Sequence, residues 1–172
     1  MTDSDTRNEF LEMIKDRRSI RSYTDKPIPK EILEEIIDAG RLAPSARNIQ
    51  AWDFIVVTEK ETLNKIGELP THGSFIKNAG ACVIVCGNKN HNRFIEDCSA
   101  AAENIILASK SFGIGSCWVA GIGKDYCEPI KEILGIPEEM VIVCLLPLGY
   151  FEKNPEPHDK KGLDEVLHWE KY

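Results

Sequence analysis

Two stretches of this chain are apolar without interruption, Ala81-Cys82-Val83-Ile84-Val85-Cys86 and Met140 to Leu146. A run of that length with no polar alternation predicts a buried strand. Such strands need elements to cover them, and helical patterns surround both. The order along the chain is helix, helix, strand, helix, strand, helix, strand, helix, strand, which places the fold among mixed α+β or α/β domains. The longest apolar run, Met140 to Leu148, contains Pro147 and is far too short to span a bilayer.

The covering helices announce themselves by their ends. Thr6-x-x-Glu9 is a capping box ahead of Phe10, Leu11 and Ile14, predicting a helix from about Arg7 to Arg17. Pro29 fits the first position of a second helix, whose Ile32, Leu33, Ile36 and Ile37 share one face. That helix ends near Ala43, because Pro44 follows. A strand is expected at Phe54–Val57 and a helix at about Lys60–Leu69. The longest helix runs from Phe94 to Phe112 and is closed by Gly113. Ser116–Ala120 reads as a short strand, and a helix with Ile130, Ile133 and Leu134 precedes Gly135.

After Gly149 the chain becomes polar and extended, then regains Leu163, Val166, Leu167, Trp169 and Tyr172. A tail of that composition should dock, either on its own body or on a partner subunit. No repeat or second domain is evident, so residues 1–172 read as one domain.

The formal net charge of −7 argues against general nucleic-acid binding. The N-terminus lacks a secretory pattern, and the chain reads as cytoplasmic. Its six cysteines form no Cys-x-x-Cys pair and lie mostly in apolar runs, so core packing is the favoured role. His72, His91, His158 and His168 show no metal-ligand spacing, and no metal site is expected. Gly121-Ile122-Gly123-Lys124 resembles a phosphate loop only superficially. Trp118 stands where the first glycine is needed, and Asp125 replaces the Ser/Thr.

Against this acidic background, Arg17-Arg18-Ser19-Ile20-Arg21-Ser22-Tyr23 concentrates three arginines within five residues. Forked guanidiniums suit phosphate oxygens, and Ser19 can add a neutral bond. The same cluster equally suits a solvated helix C-terminus. Three further segments bear on the choice. Ser45–Gln50 offers short amides and hydroxyls for the polar edge of a heterocycle. Gly113–Gly121 offers backbone N–H groups where a flat ring could approach the main chain. Lys160 and Lys161 offer a second cationic clamp. Together they describe a site for a phosphorylated heterocyclic cofactor.

These segments resemble the FMN-dependent nitroreductase family, from Met13 to the C-terminus in order. The motifs that carry the resemblance are Arg17–Tyr23, Ala43–Val57, Ala100–Trp118 with Gly113-x-Gly115-Ser116-Cys117-Trp118, and Leu163–His168. The resemblance implies an α+β fold with a central, mostly antiparallel sheet flanked by helices. It also implies an intertwined homodimer with two FMN sites at the interface, the arm of about 152–172 wrapping the partner. Arg17, Arg18 and Ser19 match residues that hold the FMN phosphate or ribityl chain, and Arg21 matches one at the flavin's pyrimidine edge. Pro44, Ser45 and Ala46, with Asn48 and Gln50 close by, match a loop supplied by the other subunit. The backbone at Ala120 and Gly121 matches the position near flavin N5, and Lys160 and Lys161 match late phosphate contacts.

There are departures: Ala51 and Gly80 stand where the family often has proline, Ala46 removes a hydroxyl, and Gly87–Glu96 has no room for a larger substrate-covering insertion. The implied activity is transfer of reducing equivalents from NAD(P)H to a nitroaromatic, quinone or similar flat acceptor, with no catalytic side chain required. Alternatives are reductive dehalogenation, flavin-consuming dimethylbenzimidazole synthesis, or a non-catalytic dimeric binding protein. Trp52 and Trp118 read as packing residues, Cys117 as a small filler, His72 as a surface residue, and Asp97 as a cap or solvated charge.

Overall fold

The computed structural model describes residues 3–172, with side chains described from residue 8 onward. Its elements are α1 (Asp3–Lys15), α2 (Lys30–Arg41), β1 (Trp52–Val57), α3 (Lys60–Glu68), β2 (Ala81–Asn88) and α4 (Phe94–Ser111). They continue with β3 (Gly115–Ser116), β4 (Val119–Ala120), α5 (Cys127–Leu134), β5 (Met140–Gly149) and α6 (Leu163–Val166). The expected α+β architecture is present. A single sheet runs β1-β2-β5-β3, with β4 also on β5, and every strand pairing is antiparallel.

The uninterrupted apolar runs are explained by burial on both sides. Along β2, Ala81, Val83 and Val85 enter one core with residues of α2 and α4. Cys82, Ile84 and Cys86 point the other way, into a second core with Leu63 and Ile66 of α3 and Ile130 of α5. Alternate residues of a strand face opposite sides of the sheet, so covering both faces requires apolar residues at every position. β5 obeys the same rule through a bulge. Val85 pairs with Cys144 and Cys86 with Ile142, which leaves Val143 unmatched on the β2 side.

Some boundaries move. α1 begins at Asp3 and ends at Lys15, so Thr6 lies inside the helix rather than capping it. The Thr6 side chain is outside the described residues. Pro29 is the residue before α2, not its first turn, with φ −56° and ψ 143°. β5 does not stop before Pro147 but carries through it to Gly149. The strand expected at Ser116–Ala120 is present as two short pieces, β3 and β4. Gly113 closes α4 in the left-handed region at φ 70°. Among the described residues no helix is long and apolar enough to cross a membrane.

Candidate functional site: a broken strand edge beside an arginine cluster

Register places β3 and β4 on one line opposite β5: Ser116 faces Leu148 and Val119 faces Leu145. The ladder between them fails at Cys117-Trp118, across from Pro147. Proline has no N–H to donate, so a sheet loses a rung where one stands. The freed Pro147 carbonyl lies 3.1 Å from the Tyr23 hydroxyl, which also donates to the Ile20 carbonyl at 2.7 Å. Burial pushes the Tyr23 phenol well above its ordinary range, keeping it a donor.

The arginine cluster therefore extends past the helix end. Beyond α1 it runs extended along this broken edge, with Ser19 bridged to Ser116 and the Ile20 N–H donated to the Ser116 carbonyl at 2.8 Å. Ile20, only 4% exposed, anchors it. The approach is close enough to need glycine: a Cβ on Gly115 would lie 2.6 Å from Ile20 Cγ1 and 2.7 Å from Phe151 Cδ1. Alternation about Ile20 leaves Ser19 half-buried and Arg21 exposed. Among the described residues Arg17, Arg18 and Arg21 meet no carboxylate within ion-pair distance. Guanidiniums with no ion-pair partner among the described residues, in an acidic chain, suit an oxyanion.

Arg18 departs from its expected place. Its guanidinium folds back to donate to the carbonyls of Lys15 (2.8 Å) and Arg17 (2.9 Å), capping the end of α1, while its buried Nε has no partner among the described residues. Here the helix-end reading holds for one of the three arginines.

The same edge continues past the break. The Gly121 N–H donates to Val143, the bulged residue of β5, at 3.0 Å. In an antiparallel pair, successive residues present their main-chain groups alternately toward and away from the partner strand. Gly121 is thus turned inward and its N–H is spent, contrary to the expectation that it stood exposed beside a ring. Ser116, Trp118 and Ala120 are turned outward. Ser116 is occupied by Ile20 and the Ala120 carbonyl by the Tyr126 hydroxyl. The Ala120 N–H points to the open side.

That open side is a cleft of about 750 Å³ lined by Arg21, Leu69–His72, Cys117–Ala120 and Gly123–Tyr126. A neighbouring hollow of about 390 Å³ is lined by Ser19–Ser22 and Lys153–Glu156. Arg21 borders both and joins them. Trp118 is 39% exposed on the cleft rather than packed inside, whereas Trp52 is buried as expected. His72 is exposed and also lines the cleft. Burial raises the Cys117 thiol, opposed by Arg21, by a hydrogen bond with Ser19 and by Arg17, so the thiol stays a protonated neighbour of the cluster. The other five cysteines are buried and free, Cys82, Cys86 and Cys98 being pushed up to about 12 by burial.

Two expected parts of the site lie elsewhere on the chain. Pro44, Ser45 and Ala46 border a separate hollow of about 480 Å³ with Arg93, Glu96, Asp97 and Ala100 of the α4 region. Their loop holds Arg47, Asn48 and Gln50 at φ 54°, 56° and 56°, a conformation L-residues avoid. The Gln50 N–H donates to Ser45 Oγ at 3.0 Å. Asp97 is neither a cap nor solvated: it is buried, and its carboxylate accepts the Ala46 N–H at 3.0 Å. Lys160 and Lys161 are exposed on the extended arm and border neither hollow beside the arginines. The arm's apolar residues do not dock on their own body, Trp169 being 77% exposed.

Sequence reasoning missed the Leu69–His72 wall and the Gly123–Tyr126 turn. Pro70 and Gly73 break the chain after α3, but nothing local links that turn to residues fifty positions on.

A profile described as the Nitroreductase family matches residues 14–73 and 69–150. A protein of Archaeoglobus fulgidus named "Putative NADH dehydrogenase/NAD(P)H nitroreductase" is 42% identical over 164 residues, covering 92% of this chain and 91% of that one. An FMN reductase [NAD(P)H] of Bacillus subtilis is 32% identical over 158 residues, covering 84% of this chain and 62% of its own. The solved structure of an FMN-dependent nitroreductase from Clostridium difficile superposes with a TM-score of 0.88 at 32% identity, covering 94% of this chain and 99% of that one.

Proposed function

The chain belongs to the nitroreductase family, and we propose that it is an FMN-dependent oxidoreductase passing reducing equivalents from NAD(P)H to a flat oxidised acceptor such as a nitroaromatic or quinone. One observation carries this reading: guanidiniums with no counter-ion among the described residues lie along the same strand edge that presents the Ala120 N–H to an open cleft. A phosphate at one end and a flat, hydrogen-bonding ring at the other match that arrangement. The buried Nε of Arg18, without a partner among the described residues, fits an anion nearby.

When bound, FMN supplies the hydride-exchanging centre. The chain's own residues bind and orient. Arg17 and Ser19 hold the phosphate or ribityl chain, Arg18 supports them from the end of α1, and Arg21 brings positive charge to the pyrimidine edge. The Ala120 N–H, held outward because Gly121 is tied to Val143, would be the main-chain donor toward the ring. Cys117, protonated, takes no part as a nucleophile.

In this reading the active unit is a homodimer. Pro44, Ser45, Ala46, Asn48 and Gln50, remote from the arginines within one chain, complete the partner's site, and Lys160 and Lys161 reach the phosphate by arm exchange. Phe10, Leu11 and Ile14 on α1, Leu42 and Ile49 beside the loop, and the arm itself leave apolar surface that a second copy would cover. The test is anaerobic stopped-flow mixing of the purified protein with NADH and with NADPH. Bleaching of flavin absorbance by at least one is expected; a flavin that stays oxidised with both would sink the proposal, as would a colourless protein that takes up no FMN.

A further inference from the structure

We propose that Asp97 is a positioning residue for the cofactor, acting through the Pro44–Gln50 loop; the inference rests on the reading above that this loop meets FMN in the partner's site. The loop is poorly held by anything else. Pro44 and residues 47–50 are exposed, so packing contributes little. Among the described residues its other hydrogen bonds are internal: Asn48 N–H to Ser45 O, Ile49 N–H to Ala46 O, Gln50 N–H to Ser45 Oγ, and Gln50 Nε2 to Asn48 O. Among the described residues the single bond that reaches the loop from outside is Ala46 N–H to Asp97 Oδ1, across fifty-one positions.

The acceptor suits that task. Asp97 is 7% exposed on the first turn of an eighteen-residue helix, where the helix dipole favours its charge. No cation pairs with it among the described residues, so its carboxylate is available to the loop amide. A charge-assisted bond from a rigid helix is what can hold three left-handed residues in one arrangement. Without it the loop relaxes, and the hydroxyl of Ser45 and the amide of Asn48 lose their placement.

The test uses the full-length protein, FMN titration by flavin fluorescence, and hydrogen exchange of the loop peptide in the FMN-free state. Asp97→Ala should weaken FMN binding about tenfold or more, the loss of a charged hydrogen bond, and speed exchange in residues 44–50. Asp97→Asn keeps an oxygen acceptor and should recover binding to within about threefold of the parent. Ala46→Pro removes the donor instead; Ser45 is already extended at φ −138° and ψ 152°, as a residue before proline must be. Combined with Asp97→Ala it should cost no more than either change alone. Parent-like binding by Asp97→Ala, or additive losses in the double variant, overturns the proposal. Asn48→Ala separates the two levels: if it weakens FMN while Asp97→Ala does not, Asp97 alone is dismissed. If Asn48→Ala leaves FMN affinity unchanged, the loop does not meet the cofactor and the proposal falls with that reading.

Discussion

The two flanks of β5 make opposite use of one strand. Toward β2 it pairs over the full length of β2 with one bulge, buried on both faces. Toward β3 and β4 it pairs in two two-residue pieces, interrupted opposite Pro147. The first flank spends its main-chain groups on the ladder and its side chains on two cores, leaving nothing for a ligand. The second is under-paired, and what fills it is the arginine segment on one side of the break and an open cleft on the other. Stability and chemistry are thus segregated across a strand only one residue wide.

That segregation can be broken from either side. The largest effect belongs to the sealed flank: Ile84→Ala, at a fully buried position paired with Ile55 and Leu145, should cost about 2–5 kcal/mol in denaturant unfolding. FMN affinity of the folded protein should stay near that of the parent. On the open flank, Arg21→Glu should reverse the pattern, weakening FMN about a hundredfold by titration with little change in the unfolding midpoint. Gly115→Ala tests the seam between them. Its Cβ would intrude on Ile20 and Phe151, so we expect about 1–3 kcal/mol of destabilisation together with weaker FMN binding, because the arginine segment must move.

The smallest effect concerns the tether where that segment begins. Asp16 accepts from Lys110 of α4 at 2.6 Å and lies within 3.4 Å of Asn154 Nδ2 on the arm. The Lys110 hydrogen bond and charge hold its carboxyl below the ordinary value of 3.8. A lowered folded value means that the stabilisation is fully present above about pH 4 and is lost as pH falls toward the folded value. Asp16→Asn should therefore lower stability slightly at neutral pH and flatten the acid limb of a pH–stability curve. The Asp16 side chain is more than half exposed to solvent, which screens the pair, so the change is small.

Much of the sealed flank was legible in the chain. Ala81–Cys86 and Met140–Leu146 could be nothing but buried strands, and Gly113 marked the end of α4 correctly. The open flank was legible only in its ingredients. Pro147 argues locally for the end of a strand, yet β5 passes through it because the opposite ladder is the broken one. Trp118 reads as core from its composition and is exposed because it lies at the break and borders the cleft. Asp97 and Ala46 are joined by a bond between distant segments, which no periodicity reveals. The arginine cluster was ambiguous for a physical reason: Arg18 does cap a helix, while Arg17 and Arg21 meet no carboxylate among the described residues.

The chain contains three tryptophans. Trp52 is sealed beside Phe54 in the core, Trp118 borders the cleft, and Trp169 stands on the arm. Each occupies a different dielectric setting and reports on a different event. Unfolding exposes the first, occupation of the cleft shields the second, and any docking of the arm shields the third. Single-tryptophan variants would turn this distribution into three optical channels, allowing folding, ligand capture and association to be timed separately in one protein without an added dye.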